Sequence, residues 1–258
     1  MASCRQSSVC RVVGMALGTA VLAVACAGTS QLDGGRDPGR VLADLKARAG
    51  MVESAAYRVR WRASGTEPHG EFLVDIAYKS PDRFHLSAIG PFDIPAFTAV
   101  VVGDSFWFVD HRAGRLVVDQ VANLPSYDVP MARFFSTSWR DIFAGGWGGG
   151  GTVPELVPGG NGHEYVGDTP FATWILNWDE SHQVPRFARA VDPDDHRRVL
   201  AEVWFDRDGR QFPFWRLKAL RVRGETQGGE HRWDILRQKY NTPLPDRLFE
   251  RLSEPSRR

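Results

Sequence analysis

Hydrophobic and polar residues alternate along much of the chain, which is the pattern of strands with one buried and one solvated face. From Tyr57 to Ala63 every second residue is apolar with arginines between, and Phe72 to Tyr78 follows the same period. Further segments of this kind, bounded by Gly, Pro, Asp and Ser turn residues, are 83–89, 97–102, 105–110, 115–120, 173–178, 187–191, 199–205, 215–223 and 232–240. The short connections predict an antiparallel meander.

Two segments have a helical period instead. From Val41 to Val52 apolar residues recur three and four positions apart, and Asp37 and Pro38 stand where such a helix would begin. From Ser126 to Phe143 apolar and aromatic residues recur at the same spacings, which predicts a helical insert at 126–145. The fold class is therefore predicted to be α+β, mainly antiparallel β, with one N-terminal helix and one insert.

The N-terminal residues differ in composition from the rest of the chain. Arg5 and Arg11 precede an uncharged run from Val12 to Ala25, which is the pattern of a secretory signal peptide spanning residues 1–25. A helix of about 14 residues is about 21 Å long, shorter than a hydrocarbon core of roughly 30 Å. We therefore expect this segment to be cleaved rather than to span a membrane.

The apolar run ends in Leu22-Ala23-Val24-Ala25-Cys26, which resembles the lipobox of bacterial lipoproteins. In that family the cysteine carries acyl chains such as palmitate, so the resemblance implies a lipid anchor at Cys26. The alternative is ordinary signal peptidase cleavage after Ala25. Residues 26–40 are rich in small and polar residues and predict a flexible tether, followed by a folded domain at 41–252.

The sequence offers little for catalysis or metal binding. Cys4 and Cys10 lie in the predicted signal peptide, so the domain has no cysteine for a thiolate nucleophile, a zinc–cysteine site or an iron–sulfur cluster. The seven histidines form no HxH or HExxH motif, and no GxSxG elbow occurs. A Ser, His and Asp that meet only in the folded chain stay open, but we predict no catalytic residue, metal or cofactor.

Composition and net charge further restrict the class of protein to which the chain can belong. The 258 residues are 43% hydrophobic and 24% charged, as in globular proteins, and the formal net charge is +1. This near-neutral charge argues against a general nucleic-acid binder. Two glycine-rich stretches within residues 145–162 lack the Lys-Ser or Lys-Thr of a phosphate-binding loop and are interpreted as flexible loops.

Aromatic residues are abundant, with nine Trp and fifteen Phe, and many occupy alternating strand positions. They fill a core or line an apolar ligand cavity, and the pattern leaves both interpretations open. The residues predicted to line such a cavity are Trp61, Phe72, Val74, Ile76, Phe84, Leu86, Phe106, Phe108, Trp174 and Trp204.

The order of elements and three local motifs resemble the LolA and LolB lipoprotein-carrier superfamily. The motifs are a corner from Lys79 to Leu86, the turn Gly90-Pro91-Phe92, and the C-terminal Leu244-Pro245-Asp246-Arg247-Leu248-Phe249. The resemblance implies an incomplete, half-open β-barrel of about 10–11 strands whose helices act as a lid. It places lid residues at Phe134, Phe135 and Trp139, and a membrane-inserting loop at Phe92 and Ile94.

The resemblance also implies a function without catalysis. It predicts a lipid-anchored periplasmic protein of the cell envelope, at the outer membrane, that binds the acyl chains of lipoproteins or lipids and takes part in their transport or insertion. Its partners would be that cargo and a periplasmic carrier protein, not nucleic acid. Two alternatives stay open: an envelope sensor or assembly subunit of the same fold that binds a protein, and a hydrolase with a spatially assembled site.

Overall fold

The computed structural model describes residues 36–65, 69–126, 138–149, 153–160, 163–169, 172–211, 214–223 and 229–252. At 124–126, 138–140, 207–211 and 214–215 the structure describes the course of the backbone alone. The predicted signal peptide, Cys26, Phe134 and Phe135 lie outside the described residues, and so does the tether up to residue 35.

The described chain is mainly antiparallel β, with thirteen strands in one sheet. They are β1 Ser54–Ser64, β2 Gly70–Lys79, β3 Arg83–Ile89, β4 Pro95–Val102, β5 Ser105–Asp110, β6 Arg115–Gln120, β7 Val157–Pro158, β8 Glu164–Asp168, β9 Thr173–Asp179, β10 Val184–Val191, β11 Val199–Gln211, β12 Phe214–Arg223 and β13 Glu230–Tyr240. The predicted number of about 10–11 strands is therefore too low. The prediction missed β7 and β8 because they are short and lack an alternating apolar pattern.

The sheet is not closed into a complete barrel. Its order is β6-β5-β4-β3-β2-β1-β13-β12-β11-β10-β9-β8-β7, so β6 and β7 form its two edges. Two meanders, β1–β6 and β7–β13, are joined by antiparallel pairing of β1 with β13, in which Ala55 lies opposite Tyr240 and Ser64 opposite Glu230. The predicted antiparallel meander is confirmed, and the sheet is an unclosed one.

The antiparallel register defines two ends of the sheet. The turns 90–94 and 111–114 lie at the end where β1 finishes at Ser64, which we call end B. The β9–β10 turn, residues 180–183, lies at the opposite end, where β1 begins at Ser54, which we call end A.

Helix α1 spans Pro38–Gly50 and begins at the proline where the sequence predicted its start. The Asp37 side chain accepts a hydrogen bond from the Gly39 N–H at 3.2 Å, and proline stands at the first helical position, where its missing N–H costs nothing. Val41, Leu42 and Leu45 are buried in the hydrophobic core, so α1 covers part of one face of the sheet.

The two faces of the sheet differ in chemistry. We call the face that packs in the hydrophobic core the core face; it carries the apolar residues of the alternating strands. The other, which we call the outer face, carries cross-strand ion pairs such as Arg58 with Asp75 at 3.2 Å and Arg62 with Asp234 at 3.3 Å. This arrangement is the predicted alternation of apolar and wet faces.

The C-terminal segment is held against the β2–β3 corner. The Asp246 carboxylate accepts a hydrogen bond from Lys79 Nζ at 2.6 Å and from Arg83 Nη1 at 3.0 Å. Phe249, in the short 3₁₀ helix Asp246–Phe249, is buried, and the Arg83 guanidinium lies 5.7 Å from its ring centroid. Two of the sequence motifs that carried the resemblance therefore bind each other.

The part of the insert that the structure describes, from Ser138 to Gly149, includes buried residues that the sequence did not indicate. Helix α2 spans Ser138–Phe143, and the glycine-rich residues that follow it, up to Gly149, are buried. Gly148 has a φ of 104°, and a Cβ there would run into the ring of Trp174. Only glycine fits at such a position. Residues 145–149, part of the glycine-rich stretch 145–162, therefore pack against the core.

Candidate functional site

The core face is one continuous apolar cluster that extends across both meanders. It contains all but one of the residues predicted to line a cavity, namely Trp61, Phe72, Val74, Ile76, Phe84, Leu86, Phe106, Phe108 and Trp174. Because these side chains come from strands on both sides of the β1–β13 pair, an apolar ligand on this face would contact both meanders.

Trp204 is the exception, and its predicted position is corrected. In β11 it lies opposite Phe187 of β10, and their ring centroids are 5.7 Å apart. The guanidinium of Arg221 lies 5.9 Å from the Trp204 ring centroid. Its neighbour Val203 belongs to the core, so Trp204 points to the outer face. Phe205, on the other side of Trp204, also belongs to the core, so the prediction followed the aromatic character of Trp204 rather than its place in the alternation.

Toward end B, the core face carries an aromatic cluster of Trp61, Phe72, Phe97, Phe108 and Trp233. Trp61 stacks on Phe72 at a centroid distance of 4.9 Å and on Trp233 at 5.0 Å, and it meets Phe97 edge-on at 5.8 Å. Phe97 and Phe108 lie 5.5 Å apart. Such flat side chains present a large apolar area with few rotamers.

One polar contact orients this cluster. The Trp61 Nε1–H donates a hydrogen bond to His231 Nδ1 at 3.3 Å. Burial lowers the pKa of His231 below its ordinary value, which keeps the ring neutral and able to accept. The buried indole N–H of Trp61 thus has the acceptor that such a group needs in an apolar site.

Helix α2 and the loop after it lie on the core face. Ile142, Phe143 and Trp147 are all buried in the core cluster, and Trp147 packs edge-on against Trp174 at 5.8 Å. The Tyr57 hydroxyl donates a hydrogen bond to the Phe143 carbonyl at 2.9 Å, and burial raises the pKa of this tyrosine well above its ordinary value. The segment from Ile142 to Trp147 therefore occupies surface that a ligand would otherwise contact.

The predicted lid residues are only partly placed by the structure. Trp139 lies within α2, so this part of the predicted insert is helical as expected. Phe134 and Phe135 are outside the described residues. A lid role for the segment stays a prediction.

The loop between β3 and β4 carries the predicted membrane-contact residues. Phe92 is 95% exposed and Ile94 is 52% exposed, whereas Phe72 and Phe97 near the same end of the sheet are buried. Phe92 has a φ of 63° and Asp93 a φ of 56°, a left-handed conformation that costs energy for residues other than glycine. The backbone thus holds an apolar ring in solvent at end B.

At end A the start of α1 is fixed to the β9–β10 turn. Arg36 donates a hydrogen bond from Nη1 to Asp44 at 2.6 Å, and its carbonyl accepts one from the Tyr165 hydroxyl at 3.0 Å. The same hydroxyl donates to Glu180 at 3.0 Å, and burial together with Glu180 raises the pKa of Tyr165 to about 12. The chain that would lead back to Cys26 therefore leaves the domain at end A.

A serine, a histidine and an aspartate do meet in the β9–β10 turn. The Ser181 hydroxyl donates a hydrogen bond to Asp179 at 2.5 Å, His182 Nδ1 lies 3.2 Å from the same carboxylate, and Arg186 pairs with it at 2.7 Å. Burial favours the neutral acid, but the hydrogen bonds from Ser181, Arg186 and His182 hold the pKa of Asp179 well below its ordinary range. The Ser181 hydroxyl also lies 2.8 Å from His182 Nδ1, and the Asp179 carboxylate accepts hydrogen bonds from the backbone N–H groups of Ser181 and His182, as in a turn cap.

Some residues of the site were not found from the sequence. Trp147 lies within a run of glycines that was interpreted as a flexible loop. A single tryptophan among glycines could have indicated close packing, because glycines let a large ring approach the backbone. Arg112, at end B, had no pattern that set it apart from the many other arginines. Within the described ranges, no three His, Cys, Asp or Glu side chains are grouped to hold a metal, and no helix is long and apolar enough to cross a membrane.

Three solved bacterial structures share this fold. A domain from Vibrio parahaemolyticus described as an outer membrane lipoprotein-sorting protein is 13% identical with a TM-score of 0.56, over 81% of this chain and 94% of that one. A DUF1329 family protein from Desulfovibrio piger is 14% identical with a TM-score of 0.55, over 83% and 98%. A LolA superfamily protein from Nitrosomonas europaea is 12% identical with a TM-score of 0.53, over 84% and 98%.

The chain thus has the fold of the LolA superfamily, as the order of its elements and its motifs predicted. At identities this low the likeness concerns the fold alone. No protein-family model matches the sequence, and comparison with curated proteins finds no significant relative. The function must therefore be argued from the residues of this chain.

Proposed function

We propose that the protein binds acyl chains of lipids or lipoproteins on the core face of its open sheet and takes part in their transport or insertion without catalysis. The observation that carries this proposal is the continuous apolar core face of an unclosed sheet, covered by short helical segments rather than by a second sheet. Burying a chain there gains about 25 cal/mol per Å² of apolar surface removed from water.

The proposal places the protein at a membrane through its N-terminus. Cys26 is the proposed lipid anchor, in the outer membrane and facing the periplasm, and Phe92 and Ile94 are the side chains proposed to enter an apolar phase when cargo is exchanged. The 95% exposure of Phe92 on left-handed backbone supports this role. A periplasmic carrier would supply the cargo. Helix α2 and the preceding insert are the proposed lid, since their described part lies on the core face.

The test is binding of fatty acids of increasing chain length to the Cys26→Ser chain, measured by displacement of a fluorescent acyl probe. Each added methylene that becomes buried contributes about 0.8 kcal/mol, so affinity should rise about fourfold per methylene until the site is filled. Native mass spectrometry of the same chain from an envelope extract should show bound lipid masses.

The same experiments separate the alternatives. No binding at any chain length, together with a stable protein partner in the extract, would support the sensor or assembly subunit and contradict the carrier proposal. Turnover of a panel of esters and glycosides would support the hydrolase and contradict the absence of catalysis.

A further inference from the structure

Arg112 stands where the core face meets solvent at end B. It lies in the turn between β5 and β6, and its guanidinium carbon is 5.9 Å from the ring centroid of Phe72. Phe72 is buried and stacks on Trp61, within the aromatic cluster. A positive charge is thus placed directly at the outer border of the apolar surface.

This guanidinium has no acidic partner among the described residues, whereas Arg58 and Arg62 of the outer face and Arg186 all do. The acid nearest in sequence, Asp110, is already used: its Oδ1 accepts hydrogen bonds from the backbone N–H groups of Arg112 and Ala113, each at 2.9 Å. Arg112 itself is exposed to solvent.

Gly90 leaves the space that Arg112 occupies. A Cβ on Gly90 would come within 2.8 Å of Arg112 Nη2 and within 3.8 Å of Phe72 Cε1. A contact of 2.8 Å is closer than carbon and nitrogen tolerate, so a side chain at position 90 would push the guanidinium away from the ring. The next residues of the same loop are the exposed Phe92 and Ile94.

A planar guanidinium matches the oxygen atoms of phosphate and carboxylate groups with two parallel hydrogen bonds. We propose that Arg112 binds the anionic headgroup of an acyl lipid whose chain continues over Phe72 and Trp61 onto the core face. The inference rests on the proposed acyl-chain binding and adds the chemical class of the cargo, an anionic amphiphile that enters at end B.

The experiment compares lysophosphatidylglycerol with the monoacylglycerol of the same chain, which has no phosphate, below their micelle concentrations, on the full Cys26→Ser chain. A charge-assisted contact predicts about tenfold tighter binding of the anionic lipid. Arg112→Gln should remove that preference while the affinity for the monoacylglycerol changes less than about twofold. Arg112→Lys should keep part of the preference for the anionic lipid, since lysine keeps the charge and loses the paired geometry.

The matched control is Arg237→Gln, at an exposed arginine on β13, and this variant should keep the full preference.

The outcomes distinguish the headgroup site at Arg112 from the proposed acyl-chain binding on which it rests. Equal affinity of wild type for both lipids overturns the headgroup site and leaves acyl binding standing. Equal loss of both lipids in Arg112→Gln also overturns it, because Arg112 would then only support Phe72. Inorganic phosphate binding at Arg112 without any preference between the lipids would mean a free-anion site and overturn it too. No binding of either lipid contradicts the proposed function itself.

Discussion

Trp61 of β1 and Trp233 of β13 lie directly opposite each other, and their rings stack 5.0 Å apart with planes 15° from parallel. This contact joins the first strand of one meander to the last strand of the other. It makes the core face continuous across the point where the chain's two halves meet, which is the surface on which the proposed ligand would lie.

Replacing Trp147 should separate stability from binding. Trp147→Ala removes a fully buried side chain from the core face, and we expect the free energy of unfolding to fall by about 3–5 kcal/mol. Because the lost indole leaves apolar space beside Trp174, affinity for acyl probes should rise rather than fall. Urea unfolding and probe titration measure the two effects. A folded variant with weaker acyl binding would contradict the view that Trp147 occupies ligand surface.

Gly148→Ala tests the packed glycine loop. The φ of 104° and the Trp174 ring at the position of the new Cβ predict a loss of about 1–3 kcal/mol. Gly160→Ala is the matched control, since a Cβ there meets nothing within 4 Å, and it should leave stability nearly unchanged. Chemical denaturation of both variants gives the comparison. Equal stability of the two would restore the interpretation of a flexible loop.

The sequence predicted secondary structure and core residues correctly where one hydrophobic period, that of a strand or of a helix, dominates a segment. Strict alternation in β1 and β2 located the core-facing Trp61 and Phe72, and Asp37 with Pro38 located the start of α1. The prediction was wrong at Trp204, where the residue type was given more weight than the position. Val203 and Phe205 on either side face the core, so alternation places Trp204 on the outer face.

Other features could not be read from local patterns at all. The two-residue strand β7 exists only through its pairing with Val166 and Tyr165 of β8. The burial of Trp147 depends on Trp174, which is distant along the chain. The position of Arg112 over Phe72 likewise depends on the register of β2 through β6.

Acid should weaken the fold through His231. Burial lowers the pKa of His231 below its ordinary value near 6.5, so its neutral form is favoured in the folded protein. The stability this provides is fully present above about pH 6.5 and is lost as the pH falls from there toward the folded-state pKa. Thermal unfolding between pH 8 and pH 5 should therefore show a falling Tm.

The matching variant is His231→Gln, which keeps an acceptor for the Trp61 N–H and cannot titrate. Its Tm should depend less on pH in this range than that of the wild type. His196→Gln, in an exposed turn, is the control and should leave the profile unchanged. An identical pH dependence in His231→Gln and wild type would contradict this assignment. His85, whose pKa burial also lowers, accounts for part of any remaining slope.

The C-terminal contact predicts two unequal effects. Phe249→Ala removes a buried aromatic side chain and should cost about 3 kcal/mol of stability. Asp246→Asn removes the partner of Lys79 and Arg83 at an exposed site, so its effect should be smaller and should diminish with salt. Glu250→Gln, an exposed neighbouring acid, is the control for charge. An Asp246→Asn effect that salt does not reduce would count against the ion pairs.

The most direct measurement is photo-crosslinking of a diazirine-labelled fatty acid to the Cys26→Ser chain, with adducts located by mass spectrometry. Acyl binding on the core face predicts adducts at residues such as Trp61, Ile142 and Trp174, suppressed by excess unlabelled fatty acid. Adducts concentrated at Phe187 and Trp204 on the outer face, or adducts that unlabelled fatty acid does not suppress, would contradict it.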